Sequence, residues 1–491
     1  MHRRALLLLA VALLAGGSSL ASQGTDRFAP VKASIKRFLD STNTASVAVA
    51  VAKDGKILWE EGFGWANREK MIPATQHTMY SLASISKPIT ATGVMVLVER
   101  GQIDLAKPIN DYLGVGKLTG QAGDAGLATV RRVLSHTAGL PLHYQFFYAD
   151  KGYGPPSMDE TIARYGNLVF PPGQVYEYSN LGFGILDYLI SRVSRSSYHD
   201  FMRTEVFLPL GLTRTSIDIG PGLEPYAAER YDARQRPIPF YTFDHNGGSA
   251  VYSSAHDLVR FGIFHSRSRL AEQRPILKPE TIEAMKEPVA PASYGLGWAV
   301  GPDLGYLRWA HSGGMPGVAT ALNIYPTENL VVVVLANAST RPERIAQEIT
   351  GIMLPRYADS VAARRAQSPP PAPAPFAPEP TLIGEWSGTL KTWQQSVPIR
   401  LEIRANGDVF VWLGDQLRAV ANQVSFRNGR LTGRFAGRIG TDDAGRWPHS
   451  LQLGLQLVDG VLKGQVSAQT ATDPVYYSLA SYAELRRGSG Q

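Results

Sequence analysis

Hydrophobic and polar positions along the chain change period several times, and each change predicts an element. Ser46 to Lys53 is a β-rich run, Asp54-Gly55 is a hairpin turn, and Lys56 to Glu60 reads as the returning strand. Helical spacing follows around Ser84–Arg100, Leu181–Val193 and Ser254–His265. Ser254-Ala255-His256-Asp257 has the spacing of a capping box, with Asp in place of Glu. Two strands close this part of the chain, Ala319–Tyr325 and Leu330–Ala336, joined by Pro326-Thr327-Glu328-Asn329. The order predicts an α/β fold in which a sheet is assembled from both ends around a helical insert.

Past residue 380 the period becomes two. Val397, Ile399, Leu401 and Ile403 alternate with polar residues, and Asn406-Gly407 turns the chain into Val409-Phe410-Val411. Leu451, Leu453, Leu455 and Leu457 repeat the pattern before a turn at Asp459-Gly460. About eight short strands of this kind predict an antiparallel barrel or sandwich. The pattern is similar to the small lipocalin-like barrels appended to some hydrolases. Between the two parts, Ser368 to Pro380 is a proline-alanine tract suited to an extended spacer. At the other end, His2-Arg3-Arg4 precedes an apolar run, Ala5 to Ala15, too short to span a bilayer, and Ser19-Leu20-Ala21 has the small residues of a cleavage site. The expected organisation is a signal peptide over 1–21, an α/β portion over 22–367, the spacer over 368–380 and an all-β portion over 381–491.

Composition narrows the field. With 491 residues, 44% hydrophobic and 19% charged, the chain has the apolar mass of an ordinary globular protein with a large core. Its net charge of +7 is scattered, which argues against nucleic acid as a partner. There is no cysteine, so neither disulfides nor a lipid on a cleavage-site cysteine enter the picture. An exported protein, secreted or periplasmic, without stable membrane insertion after cleavage, is the expectation. Nothing in the sequence sets an oligomeric state.

Three short motifs carry chemistry. Ser84-Ile85-Ser86-Lys87 is the chain's Ser-x-x-Lys, and it opens a helical stretch. Residues three apart share a helix face, so the amine can reach the hydroxyl. A helix N-terminus disfavours a charged lysine and favours an oxyanion. Pro88 fits the first turn of that helix. Tyr178-Ser179-Asn180 opens the next apolar helix; a tyrosine beside an ammonium can be held as phenolate or relay a proton. In His311-Ser312-Gly313-Gly314 the first residue can meet a substrate carboxylate, and the glycines let backbone approach a reacting carbonyl. Taken singly, each motif has a plain structural reading: a serine cap with a solvated lysine, a packed tyrosine with an asparagine cap, a glycine loop after a half-buried histidine. Tyr144, Phe146 and Phe147 read either as a substrate wall or as core. No Gly-x-Ser-x-Gly elbow, His-Glu-x-x-His or phosphate loop is present, and no cofactor or metal is called for.

In this order and spacing the three motifs resemble the serine β-lactamase and penicillin-binding-protein superfamily. The likeness is to the branch of class C β-lactamases, D-Ala-D-Ala carboxypeptidases, D-aminopeptidases and related esterases. Leu134-Ser135-His136-Thr137-Ala138-Gly139-Leu140, Gly247-Gly248 before Asp257-Leu258, and Tyr294-Gly295-Leu296-Gly297-Trp298 look like landmarks of the same family. The resemblance spans about Phe28 to Ala338. It implies Ser84 as the acylated nucleophile, Lys87 as its proton partner and Tyr178 as general base or acid. It further implies Asn180, His311 and Gly313 at the substrate, with an oxyanion hole from the backbone N–H groups of Ser84 and Gly314. His136 reads as structural. Efficient class C β-lactamases generally carry lysine where this chain has His311, and histidine at that place is familiar among the peptidases and esterases. The expected function is therefore a secreted serine hydrolase working through an acyl-enzyme on a small ester, peptide or amide, with cell-wall fragments among the candidate substrates. A β-lactamase, or a penicillin-binding receptor that acylates without turnover, is the alternative.

Overall fold

The computed structural model describes residues 26–266, 268–367, 375–472 and 475–488. The predicted leader over 1–21 and residues 368–374 of the predicted spacer lie outside them. β1 (Ser46–Lys53) alternates Val47, Val49 and Val51 with Ala48, Ala50 and Ala52, and both sets are buried, in different clusters. The strand is thus sandwiched between two layers, with large residues to one side and small ones to the other. Asp54 and Gly55 both take positive φ, 52° and 73°, the geometry of the tight hairpin turn the sequence predicts. β2 (Lys56–Asn67) runs well beyond the predicted Glu60 and then pairs with the short β3 (Ile72–Pro73). Gly62 and Gly64 make that extension feasible. A Cβ on Gly62 would lie 2.5 Å from the Ala74 backbone, and one on Gly64 would lie 2.2 Å from the Ala45 carbonyl oxygen.

The chain returns to the sheet after a long helical insert, as β4 (Ala299–Asp303), β5 (Tyr306–Met315), β6 (Val318–Tyr325) and β7 (Leu330–Ala336). The antiparallel order is β3-β2-β1-β7-β6-β5-β4, and β1 pairs with β7 from Val47↔Ala336 to Lys53↔Leu330. The first and last strands therefore meet in the middle, as the sequence predicts. Helices α1 (Ala29–Thr42), α5 (Glu343–Met353) and α6 (Pro355–Ala366) pack on the valine face. On the opposite face lie α2 (Ser86–Glu99), α3 (Asn180–Ser194) and α4 (Ala255–His265). Ser254 caps α4 by accepting from the Asp257 N–H at 3.1 Å. Asp257 does not reciprocate as in a full capping box: its carboxylate accepts from the Arg214 N–H and the Thr215 hydroxyl.

The all-β portion contains nine strands among the described residues: β8 (Gly384–Lys391), β9 (Ser396–Ile403), β10 (Val409–Leu413), β11 (Ala419–Val420), β12 (Asn422–Arg427), β13 (Arg430–Phe435), β14 (Ser450–Val458), β15 (Val461–Thr472) and β16 (Val475–Arg487). They run β11-β10-β9-β8-β16-β15-β14-β13-β12. The two end strands are separated in the chain by Ala421 alone, so the sheet curls into a nearly closed barrel. Its interior is the alternating apolar set, including Leu401, Val411, Leu453 and Leu485.

The barrel adds to the α/β portion edge to face. β16 pairs with the strand Tyr144–Tyr148 at Tyr477↔Gln145 and Ser478↔Tyr144, and that strand pairs with Tyr241–Phe243. Around this seam Tyr165 hydrogen-bonds to Asp443, Trp447 donates to the Tyr153 hydroxyl at 3.2 Å, and Arg164 stacks over Trp393.

Candidate active site

The turn carrying Ser84 is shaped by its neighbours. The Leu82 N–H donates to the Val251 carbonyl at 2.8 Å, and Ala83 takes φ of +49°. A left-handed alanine costs about 1–3 kcal/mol and persists only when packing dictates it. Here β5 lies directly against it: a Cβ on Gly313 would stand 2.1 Å from the Leu82 carbonyl oxygen and 3.0 Å from Ala83 Cβ. Only glycine fits there. Thr320 Oγ1 donates to the same Leu82 oxygen at 2.9 Å. The 3-10 turn Ala83–Ile85 then leads into α2, where Pro88 falls in the first turn and lacks no bond.

Lys87 is fully buried, and its Nζ lies 3.2 Å from Ser84 Oγ, 2.7 Å from Asn180 Oδ1 and 2.9 Å from the Gly248 carbonyl oxygen. Burial holds its pKa well below the usual lysine value. A neutral amine has two N–H groups and one lone pair. Asn180 Oδ1 and the Gly248 oxygen can only accept, so they take the two hydrogens and leave the lone pair for the Ser84 hydroxyl. The glycine segment is itself fixed: Thr90 Oγ1 donates to the Gly247 oxygen, and the Gly247 N–H donates to Asp187, both at 2.6 Å.

The loop before α3 is held from below by His136. Its Nδ1 accepts from the Ser179 N–H at 3.0 Å, and its ring centroid is 4.3 Å from that of Tyr178. Ser179 caps α3 by accepting from the Gly182 N–H at 3.0 Å, and the Asn180 N–H donates to the Leu142 oxygen at 2.9 Å. Gly139 does not stop the helix before it: Val130–Leu134 ends at Ser135, and Gly139 lies farther on, with φ +82°, where a Cβ would meet the Phe170 oxygen at 2.0 Å. Tyr178 stays protonated. Burial raises its pKa, the hydrogen bond with Ser84 offsets only part of that, and Lys87 Nζ sits over the ring face, 4.7 Å from its centroid. Of the two forms open to a tyrosine beside a lysine, phenolate or protonated relay, burial favours the protonated one, and the same burial disfavours the ammonium that would stabilise a phenolate.

His311 is buried in β5 beside Tyr178, their ring centroids 6.4 Å apart; its Nδ1 donates to the Ser312 oxygen at 2.8 Å, so Nε2 accepts from the Tyr294 hydroxyl at 2.9 Å. Burial is the main reason its pKa is pushed down to about 3, and Lys87 adds to this whenever it carries its proton. The imidazole is neutral and does not line the cavity, so it cannot meet a carboxylate as a cation. The next residues do line it. The pairing of β4 with β5 stops at Ala310, and Ser312, Gly313 and Gly314 face a cavity of about 560 Å³ together with Ser84, Tyr178 and Asn180. A Cβ on Gly314 would meet open space, so this stretch of backbone is accessible to a bound acyl group.

The opposite wall is aromatic and comes from two parts of the chain. Tyr144 and Phe146 line it, joined by Tyr476 of β16, whose ring centroid is 6.4 Å from that of Phe146. Phe147 is buried and faces away. A second link reaches the loop that carries Tyr178: the buried Glu177 carboxylate accepts from Arg430 Nη1 at 2.6 Å and from Gln465 Nε2 at 2.8 Å. Tyr476, Arg430 and His245, which also lines the cavity, carry no motif; only the dipeptide Asp244-His245 hints at chemistry. Among the described residues no group of three or more His, Cys, Asp or Glu is arranged to hold a metal ion.

Fold and site together define a serine hydrolase of the class C-like kind. A family model described as Beta-lactamase matches residues 31–353, and the chain belongs to that family. Penicillin-binding protein 4* of Bacillus subtilis (strain 168) is 27% identical over 322 residues, which is 59% of this chain and 67% of that protein. Unguisins hydrolase ungD' of Aspergillus campestris (strain IBT 28561) is 26% identical over 330 residues, covering 62% of this chain and 60% of that protein. Among solved structures, class C beta lactamase from Rhodobacter sphaeroides aligns with a TM-score of 0.56 at 22% identity, over 69% of this chain and 99% of its own. SurE, solved with D-Leu, aligns with a TM-score of 0.60 at 21% identity over 94% of this chain and 99% of its own. The wider reach of the second alignment takes in the barrel as well as the α/β portion.

Proposed function

We propose that Ser84 is acylated by a small ester, amide or peptide and that the acyl-enzyme is then hydrolysed. The observation that carries this reading is the buried Lys87, whose only unspent lone pair faces Ser84 Oγ at 3.2 Å. Lys87 takes the hydroxyl proton as Oγ attacks the carbonyl carbon. The backbone N–H groups of Ser84 and Gly314 receive the oxyanion. Tyr178, a protonated phenol bonded to Ser84, passes a proton to the leaving group and recovers one from Lys87. Asn180 has its oxygen committed to Lys87, which leaves its amide N–H groups for the substrate carbonyl.

No lysine or arginine is among the cavity-lining residues, while Glu343 stands at its edge. That supports acyl donors that are neutral or carry an amine, as an esterase or D-aminopeptidase would take, over an anionic β-lactam or a peptide with a free C-terminal carboxylate. A D-residue at the acyl position is part of this reading, supported by the structural neighbour solved with D-Leu. Export, with a secreted or periplasmic enzyme, is proposed from the basic head and apolar run at residues 2–15. The test is to offer purified protein a p-nitrophenyl ester, a D-amino-acid amide, a D-Ala-D-Ala peptide and a cephalosporin. Turnover of the first two with a mass adduct on Ser84 is expected. Preferred turnover of the cephalosporin overturns the substrate reading, and an adduct on another residue overturns the mechanism.

A further inference from the structure

One buried cluster beside Ser84 has no part in acylation. Asp244 is buried between two imidazoles: its Oδ1 accepts from His245 Nδ1 at 2.6 Å and its Oδ2 pairs with His143 Nε2 at 2.7 Å. Because Nδ1 donates to Asp244, the lone pair of His245 is on Nε2, which has no hydrogen-bond partner among the described residues. His136 Nε2 and His143 Nδ1 are also unpartnered, but of these three residues only His245 is among those lining the cavity. The ring stands beside the lysine: a Cβ on Gly248 would lie 3.4 Å from His245 Cδ2 and 3.5 Å from Lys87 Nζ. A buried, unpartnered acceptor on a residue that lines the cavity, backed by a carboxylate, has the parts of a general base. Lys87 keeps one lone pair, which faces Ser84 Oγ at 3.2 Å, and its other two directions are spent on Asn180 and Gly248.

We propose that His245 is the base that activates water to hydrolyse the acyl-enzyme, with Asp244 and His143 as its positioning residues. The inference rests on the acylation of Ser84. A water oxygen bonds to the acyl carbon while one water proton moves to His245 Nε2, and Asp244 stabilises the imidazolium. The bond from Ser84 Oγ to the acyl carbon breaks as Tyr178 returns a proton to Oγ. The carboxylic acid leaves and ionises in solvent, and from the water that refills the cavity Tyr178 regains a proton while His245 gives its own up. Burial lowers the His245 pKa and the Asp244 carboxylate opposes this, so the ring is neutral and able to accept before water attacks.

The test compares wild type, His245→Gln and Asp244→Asn with a p-nitrophenyl ester, by stopped-flow burst, steady-state rate and intact mass. In His245→Gln the burst rate stays within about threefold of wild type. The steady-state rate falls roughly 100-fold, the lower end of what a general base supplies, and the Ser84 adduct persists. Asp244→Asn shows the same split, its steady-state rate falling at least about tenfold, because the amide no longer holds the tautomer or stabilises the imidazolium. The burst amplitude reports folded sites in each variant, so a misfolded His245→Gln is recognised and Asp244→Asn decides. An unchanged steady-state rate, or a burst that falls in step with it, overturns the role of His245. A wild type with no Ser84 adduct at all overturns instead the acyl-enzyme reading on which it rests.

Discussion

The two walls of the cavity are built differently. On one side, Ser84, Lys87, Asn180 and the glycines of β5 are locked by short buried bonds between elements of a single core. On the other, Tyr144, Phe146 and Tyr476 are held by stacked rings and a strand pairing with two matched residues in register. The first wall fixes atoms to within a hydrogen bond, which proton transfer and oxyanion binding need. The second offers apolar area at little geometric demand, which suits selection among side chains. Between them, Arg430 and Gln465 of the barrel both bond to Glu177, the residue before Tyr178. Chemistry and selectivity are thus assigned to different walls, with the barrel touching both.

Breaking the first wall gives the largest effect. Ser84→Ala should lower hydrolysis about 10⁴-fold or more and abolish the mass adduct while leaving the circular dichroism unchanged. Lys87→Met, similar in length and uncharged, should cost about 10³-fold in the acylation burst, as expected for loss of a proton acceptor. The pH profile sharpens the same point. The active form has neutral Lys87 and protonated Tyr178, and burial has moved the first pKa down and the second up. The rate constant kcat/KM should therefore fall about tenfold per pH unit only below the depressed Lys87 value. It should hold flat past neutrality until Tyr178 ionises in strong base. An acid limb at the ordinary lysine value would contradict the neutral amine.

The crossing link comes next. Arg430→Ala leaves a buried carboxylate without its cation, in the residue next to Tyr178. It should lower kcat about tenfold, or ~1.4 kcal/mol, with little change in KM, whereas Arg430→Lys should recover part of it. Equal loss in both parameters would point to the substrate wall instead. Tyr476→Ala should act the other way, raising KM roughly fivefold for aromatic acyl groups and leaving the burst rate alone, since an apolar contact is worth about 1 kcal/mol here.

Ser84 and Lys87 were legible because their contact is set by helix geometry three residues apart. Tyr178 and Asn180 were legible by motif, but the protonation of the tyrosine was not, since it depends on Lys87 being buried. His311 shows the same limit more sharply. Its position in the chain was right, yet a neutral imidazole turned to Tyr294 follows from burial, which no spacing reveals. Arg430 and Glu177 lie 253 positions apart, and Tyr476 sits in a strand whose alternation announces only a barrel. Strand period identified that barrel well, because alternation is a property of each strand by itself. Its seat on Tyr144–Tyr148 is a property of two strands from distant parts of the chain. β2 was read too short for a related reason: Gly62 and Gly64 look like punctuation until the backbones they admit are seen.

The seam between β16 and Tyr144–Tyr148 also has a bearing on biosynthesis. A ribosome delivers Ser84 and Lys87 several hundred residues ahead of Tyr476, so a growing chain can bury its nucleophile and lysine while one side of the pocket is still unsynthesised. Selectivity is therefore acquired after reactivity, and only when the last described strand has docked. A nascent chain paused before that strand would expose its reactive serine in a roomier groove than the finished enzyme presents.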